Sequence, residues 1–394
     1  MAHSVAPLSI AAADNDRLFD ERGRSYIDLF SAHGTTWLGH ANPGIAAELT
    51  AQLQKLWIAG GLATSVAAEA CRMVEGFFPP SHYLAAFYST GMEAAEFALR
   101  VARVATGKNG VVGFERSMHG KSLATAHLGW DNHDGVDLPG FFRLPFVRSC
   151  SEEGILGRLA DVLSTDSVSA VFVEPLQASG GGHAASTPFY NELARLCSRH
   201  GALTIFDELL TGFYRTGPAF FFANLDFVPD VILIGKSLGN GFPVSGVVVD
   251  RRFPVSPAML PGSTYSGNPL AATAVRATLR QLRSLDVPAR VKAIEDVVVE
   301  ILGPLRDRGI ALRGRGALWV LELPEQNDVE ATVIAIYERG VAVGFTGRIL
   351  RLIPAATIDL SRLRRACSII AEELERNFDV LPEPQAQTPV RGLE

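Results

Sequence analysis

Two residues at the ends of apolar runs carry the strongest chemical signal in this chain. Lys236 stands in DVILIGKSLGNGFPVSG, directly after an apolar run and directly before a glycine-rich turn. A lysine there can neither snorkel along a surface helix nor be freely solvated. Desolvation favours its neutral amine, the nucleophile that forms Schiff bases. Asp207 ends an earlier run, ALTIF, and is followed by Glu208. Neighbouring strands lie roughly 4.8 Å apart, close to the span of a substituted six-membered ring. If the two runs are neighbouring strands, a carboxylate and an amine can address opposite sides of one flat ligand. Taken alone, an aspartate at a strand end such as Asp207 is more often a helix cap or a metal ligand.

Three further segments fall at strand ends, where parallel α/β sheets bind ligands. In FYSTGMEAAEFALRVAR a strand runs out and Thr90, Gly91 and Met92 open a helix. Helix-terminal N–H groups attract anions, which makes a phosphate cup; the plainer reading is an N-cap by Ser89 or Thr90. In VFVEPLQASGG, Glu174 precedes a proline that ends strand pairing, and it reads either as an acid at the ligand edge or as a structural acid tying loops together. In PGSTYSGNPLA, Ser263 and Thr264 precede a glycine turn and a proline-initiated helix, as phosphate donors or as turn formers. Amine, buried acid and phosphate cup together are the needs of pyridoxal 5′-phosphate (PLP).

The elements that must position these residues alternate between strand-like and helix-like runs, the pattern of an α/β fold with a mostly parallel sheet. Strands are expected over 84–89, 110–115, 168–175, 202–208, 230–235 and 244–250, apolar on both faces as strands covered by helices are. Helices are expected over 93–106, 188–200 and 269–285. From 288 a long helix to 307 leads into strands 318–323, 340–345 and 349–354 and helices near 328–339 and 360–376, a smaller α+β domain. The expected division is an N-terminal segment 1–45 that joins the small domain or an interface, a large ligand-binding domain 46–287, a small domain 288–380 and a flexible tail 381–394.

Composition narrows the function classes. The chain has 394 residues, 47% apolar and 20% charged, with a net charge of −6. No basic field exists to hold nucleic acid. The four cysteines are far apart without a CxxC pair, as expected for free thiols in a reducing cytoplasm. No apolar stretch reaches the length of a membrane helix. A nucleotide-binding dehydrogenase is disfavoured, because no GxGxxG follows the first strand and GKSLGNG lacks the glycines of a phosphate loop before its lysine.

Together the segments GRSYIDLF, TTWLGHANP, STGMEAAEFALRVAR, EPLQ, FDELLTGFYRTG, GKSLGNGFPVSG, GSTYSGNPLA, RGALWVLEL and ILRLIP resemble, in order and spacing, the class-III aminotransferases of PLP fold type I. The acetylornithine and ornithine branch is the nearest. The resemblance implies an α/β large domain with a mostly parallel seven-stranded sheet, a smaller α+β domain, and a homodimer with shared sites. It implies that Lys236 binds PLP as a Schiff base and moves the substrate proton, and that Asp207 pairs with the ring nitrogen. Thr90, Gly91 and Met92 would cradle the phosphate, Ser263 and Thr264 would reach the neighbouring subunit's phosphate, and Leu209 would pack on the ring. Met118 and His119 would lie against the cofactor, with Glu174 beneath it, and Arg351 would grip the donor's α-carboxylate.

The departures are informative. Met118 replaces the aromatic residue usual before His-Gly, Lys121 replaces an arginine, Leu210 a glutamine, and Ser179 the glutamate that masks the substrate arginine in the ornithine and 4-aminobutyrate enzymes. Lysine lacks the planar fork of arginine, so Lys121 grips a second carboxylate less well. Lys121, Trp37 and Tyr214 are pocket candidates. The expected reaction is ping-pong transfer of an amino group from an amino acid to a ketone or aldehyde, with a specialised, less charged acceptor. The alternatives on this scaffold are an aminomutase, an epimerase and a decarboxylase.

Overall fold

The computed structural model describes residues 9–130, 138–256, 259–325 and 327–379. The tail expected at 381–394 lies outside the described residues. At the centre is a seven-stranded sheet. Its order is His82–Tyr88, Ser245–Asp250, Val231–Ile234, Leu203–Asp207, Val168–Val173, Gly110–Phe114 and Phe141–Leu144. Ser245–Asp250 runs antiparallel to both its neighbours, and the other pairs are parallel.

Residues of Val168–Val173, Leu203–Asp207 and Val231–Ile234 are buried throughout, because the sheet is covered on both sides. Alternation sends Val171 and Val173 to one side, against Leu193 and Leu196 of the helix Thr187–Arg199. It sends Ala170 and Phe172 to the other, with Ala98 and Leu99 of the helix Gly91–Thr106. Each fully buried valine or leucine contributes about 1.5–3 kcal/mol. These central strands can therefore hold polar groups at their ends.

The six expected strands are present. The seventh, Phe141–Leu144, is an edge strand of four residues interrupted by the exposed Arg143, too short to stand out from its loop. The long helix stops earlier than expected, as Val287–Leu302, because Gly303 and Pro304 tighten the chain into a 3₁₀ turn over Gly303–Arg308. The run 340–345 is not one strand. Val341–Ala342 pairs in parallel with Ser25–Asp28, whereas Gly344–Thr346 pairs with Ile349–Leu352 in a different sheet. Two hydrophobic neighbours thus serve two sheets. The first of these sheets also contains the N-terminal hairpin Ile10–Asp14 and Arg17–Asp20, so the N-terminal segment is sewn to the C-terminal part. Among the described residues no helix is long and apolar enough to cross a membrane, no side-chain group could hold a metal ion, and all four cysteines are free.

Glu208 is structural. Its carboxylate accepts from Thr211 Oγ1 at 2.7 Å and from the N–H groups of Phe221 and Phe222 at 2.8 and 2.9 Å. It thereby fixes the turn that follows Asp207.

Candidate active site

The parallel pairing of Leu203–Asp207 with Val231–Ile234 sets Asp207 opposite Leu233, and the N–H of Glu208 donates to the Leu233 carbonyl at 3.0 Å. Lys236 follows two residues past the end of that neighbouring strand. Both residues therefore stand at the same edge of the sheet, on adjoining strands. Lys236 has φ +44°, a left-handed conformation that costs a non-glycine residue about 1–3 kcal/mol. Burial lowers the pKa of its amine, against the opposing pull of Asp207 and Glu174. The other lysines differ: Lys55 and Lys121 are exposed, Lys108 is paired with Asp166, and Lys292 with Asp296.

Asp207 is 4% exposed. It accepts from Nδ1 of the buried His119 at 2.8 Å and from the N–H of Leu209 at 3.1 Å. An ionised carboxylate has about four acceptor sites, so it can take a further donor. Glu174, on the next strand end, accepts from the N–H of Met118 at 2.8 Å and of Ala178 at 3.2 Å. Burial pushes its carboxyl up to about 7, with Asp207 adding to the rise and His119 opposing it, from an ordinary 4.5. The folded chain therefore binds this proton more tightly than the unfolded chain. The stability it contributes is full below about pH 4.5 and is lost as pH rises through about 7. Glu174→Gln should flatten that fall in urea midpoints, leaving the part due to Glu208, whose carboxyl burial also raises to about 7. An unaltered slope would contradict this assignment.

At the start of the helix Gly91–Thr106, the Thr90 hydroxyl is engaged in a capping box: it accepts from Glu93 N and Glu93 reaches back. Glu93 Oε2 also accepts from Ser89 N at 3.1 Å. The plainer reading of the Thr90 side chain is the one realised. What this turn offers an anion is backbone: Gly91 and Met92, as the first helical residues, have no intrahelical acceptor for their N–H groups. The turn is held to the sheet by Ser245 Oγ, which donates to the Thr90 carbonyl at 2.7 Å. Leu209 fills the space beneath it. A Cβ at Gly91 would come within 2.5 Å of Leu209, and one at Gly235 within 2.6 Å. Glycine is needed at both places for close approach, which brings the helix start, Leu209 and the residue before Lys236 into one tight group.

Lys236 and Glu174 open into a cleft of about 710 Å³, whereas Asp207, His119, Leu209 and the turn Thr90–Met92 adjoin it without being among its walls. Lys236, Glu174, Met118, Lys121, Leu210, Ser179 and Arg351 all line it. Arg351 lies on the strand Ile349–Leu352 and is 9% exposed. Its Nη1 donates to Ser179 Oγ at 3.2 Å, and its guanidinium lies 5.2 Å from the centre of the Phe30 ring. Burial lowers its pKa, against the favourable field of Glu174. With serine at position 179, this guanidinium has no carboxylate hydrogen-bond partner among the described residues.

Trp37 is a correction: it does not line the cleft. It is fully buried, its indole N–H donates to the Phe213 carbonyl at 2.8 Å, and the Arg215 guanidinium lies 3.8 Å over its ring. Arg215 is itself buried, held by the carbonyls of Pro354 and Gly34, so Trp37 serves to cover a desolvated charge. Tyr214 likewise packs edge-on to Phe77. Ser263 and Thr264 lie on a loop outside the cleft, Thr264 exposed.

Sequence reasoning missed His33 and Phe30. Both line the cleft, and their rings meet at 4.3 Å. Ser31, Ala32 and His33 have φ values of 49°, 48° and 64°, and nothing in SAHG signals three successive left-handed non-glycine residues. Desolvation, followed by the charges of Arg351, Lys236 and Lys121, pushes the His33 imidazole down to about 4.

The residues present fit PLP. The buried His119 Nε2, Ser237 Oγ and Arg351 Nε have no hydrogen-bond partner among the described residues, as polar groups arranged around a polar ligand would. Comparison with known proteins agrees. The model of the family "Aminotransferase class-III" matches residues 1–374. A 2-aminoadipate transaminase of Pseudomonas putida is 31% identical over 411 residues, covering 97% of each chain. The chain belongs to the class-III aminotransferases. A succinylornithine transaminase of Salmonella paratyphi A is 31% identical over 92% of each chain, and an acetylornithine aminotransferase of Methanopyrus kandleri is 29% identical over 94% and 95% of the two chains. The fold is that of a solved taurine:2-oxoglutarate aminotransferase from Bifidobacterium kashiwanohense, with a TM-score of 0.88 and 23% identity over 95% of this chain and 94% of that one. As a class-III aminotransferase, this enzyme uses PLP as its cofactor.

Proposed function

We propose that this aminotransferase works by a ping-pong cycle in which Lys236 is the acting base. An amino acid such as glutamate or alanine donates, and a ketone or aldehyde receives. The observation that carries the reading is the pairing of a desolvated amine at Lys236 with a buried carboxylate at Asp207 on adjoining strand ends. Bound PLP supplies an electrophilic carbon for the amino group and a ring that withdraws electrons from the substrate.

The chain's own residues do the rest. Lys236 Nζ would hold the cofactor and, once freed by the substrate amine, would act first as the base that takes the proton from the substrate α-carbon and then as the acid that delivers it to the carbon on the other side of the amino nitrogen. Its lowered pKa keeps the amine available as a base. Asp207 holds a proton at the ring nitrogen, and His119, donating to Oδ2, fixes the carboxylate for that task. The backbone N–H groups of Gly91 and Met92 take the phosphate, and Leu209, beneath them, supports the ring. Arg351 takes the donor's α-carboxylate, the geometry in which a guanidinium binds best. Phe30, Met118, Leu210 and Phe345 give the acceptor's carbon chain an apolar wall that excludes water.

The test is the first half-reaction alone. With donor and no acceptor, one equivalent of keto acid should appear per site as the yellow colour is lost. Release of CO₂, or isomerisation without a second substrate, would replace transamination by one of the other outcomes of this scaffold.

A homodimer is part of the proposal. Leu53, Leu56, Trp57, Ile58 and Leu62 are 39–79% exposed within one short segment, a patch of the kind that marks an interface. Ser263 and Thr264, outside their own cleft, are then available to the partner's phosphate. Sedimentation as a monomer at micromolar concentration would overturn this part.

A further inference from the structure

Beside the cleft lies a second cavity, of about 450 Å³. The two share Trp130, Ser179 and Thr346 as walls. Its other charged walls are Arg116, Arg148, Arg348 and Glu322. Three separate parts of the fold bring the arginines together around Glu322, the last residue of the strand Leu318–Glu322. Arg116 follows the strand Gly110–Phe114, and Arg148 follows the edge strand Phe141–Leu144. Arg348 sits at the tip of the hairpin that joins Gly344–Thr346 to Ile349–Leu352.

Glu322 is oversubscribed. Its Oε2 pairs with Arg313 at 2.7 Å, and its Oε1 faces Arg148 at 3.1 Å and Arg348 at 3.8 Å. Among the described residues this one carboxylate thus serves three guanidiniums, those of Arg313, Arg148 and Arg348, and the surplus stands on these three without Arg116. Glu325, the other acid near Arg348, is 89% exposed and contributes little screening inside the cavity. The field is felt nearby: after burial, the charges of Arg313, Arg148 and Arg116 help push His183 down to about 4. A cavity with this surplus attracts an oxyanion, and guanidiniums suit carboxylate geometry.

Ser179 joins the two chambers. Its hydroxyl accepts from Arg351 on one side, and the residue walls the annex on the other. Serine places only a short side chain in this shared wall. We infer that the arginine annex is a second carboxylate subsite. It takes the far carboxylate of a dicarboxylic substrate whose near carboxylate is held by Arg351 and whose carbon chain crosses the apolar wall. This rests on the cleft being the aminotransferase site proposed above. It also narrows the expectation of a weakly charged acceptor: the middle of the pocket is apolar, but its far end is not.

The test is calorimetric binding to the holoenzyme of straight-chain dicarboxylates from glutarate to suberate, compared with their monomethyl esters. These probes carry neither amine nor carbonyl to react, so turnover is not needed. At least one diacid should bind about tenfold or more tightly than its ester, and the gap should shrink as salt is added. Arg148→Gln and Arg348→Gln should each reduce that ratio, while Arg148→Lys should keep part of it. Arg348, 35% exposed at a hairpin tip, carries the test if Arg148→Gln fails to fold. Equal binding of diacids and esters, or a preference that survives both substitutions, overturns the annex. Colour loss with donor alone is read separately. Bleaching without a diacid preference sinks only the annex, and a diacid preference without bleaching sinks only the transaminase reading.

Discussion

Lys236→Ala is expected to lower kcat by about four orders of magnitude or more, since the substitution removes both a nucleophile and a general base. No other group in the described chain can substitute. Lys121 is the one other lysine among the described walls of the cleft, and it is exposed, without the burial that desolvates Lys236. His33 faces the cleft as a neutral imidazole, but it stands on the Arg351 side with Phe30 and cannot form the covalent link. Alanine meets the same left-handed φ at position 236 that lysine does, and it removes an amine that burial desolvates. The folded stability should therefore change little, and PLP should still be retained without a covalent bond. Stopped-flow measurement of the donor half-reaction checks this. Turnover within tenfold of the parent enzyme would contradict the role given to Lys236.

Asp207→Asn should lower kcat by about two to four orders of magnitude, with near-normal folding. The amide is isosteric and its oxygen can still accept from His119 Nδ1 or from the Leu209 N–H, which lie 2.8 and 3.1 Å from the carboxylate. What it cannot do is hold a proton on a ring nitrogen, because it carries no charge to stabilise the protonated ring. Loss of rate with an unchanged melting temperature separates this from misfolding. Glutamate at the same place keeps the charge but pushes it one methylene further into a site whose floor is already packed by Leu209 between Gly91 and Gly235, so Asp207→Glu should fall between the two. An Asp207→Asn enzyme of normal rate would mean that the carboxylate serves only to orient His119.

The parts of this site that were legible in the sequence share a physical trait. Lys236, Asp207 and Glu174 each terminate an apolar run, and a buried strand announces both its position and the burial of the group at its end. Arg351 is marked in the same way by ILRLIP. The parts that were not legible depend on where chains meet. Trp37 looked like a pocket residue beside a matching motif, but the buried Arg215, far away in sequence, claims its ring. Thr90 was offered two roles by its position, and only the neighbouring Glu93 decided that its hydroxyl caps the helix. His33 reaches the cleft through a left-handed stretch with no glycine to signal it. The annex arginines come from three distant segments, one of them after an edge strand too short to be read. The division of 340–345 between two sheets is likewise set by partners, Ser25–Asp28 and Ile349–Leu352, that no local pattern specifies.

The central claim is that Lys236 carries the cofactor, and it can be read directly. The holoenzyme is reduced with borohydride, digested, and its peptides are weighed. The account predicts a phosphopyridoxyl group on the peptide that contains Lys236, in stoichiometric amount, with none on the peptides of Lys55, Lys108, Lys121 or Lys292. A label on Lys121, or a reduced protein that releases all its cofactor on denaturation, would contradict it.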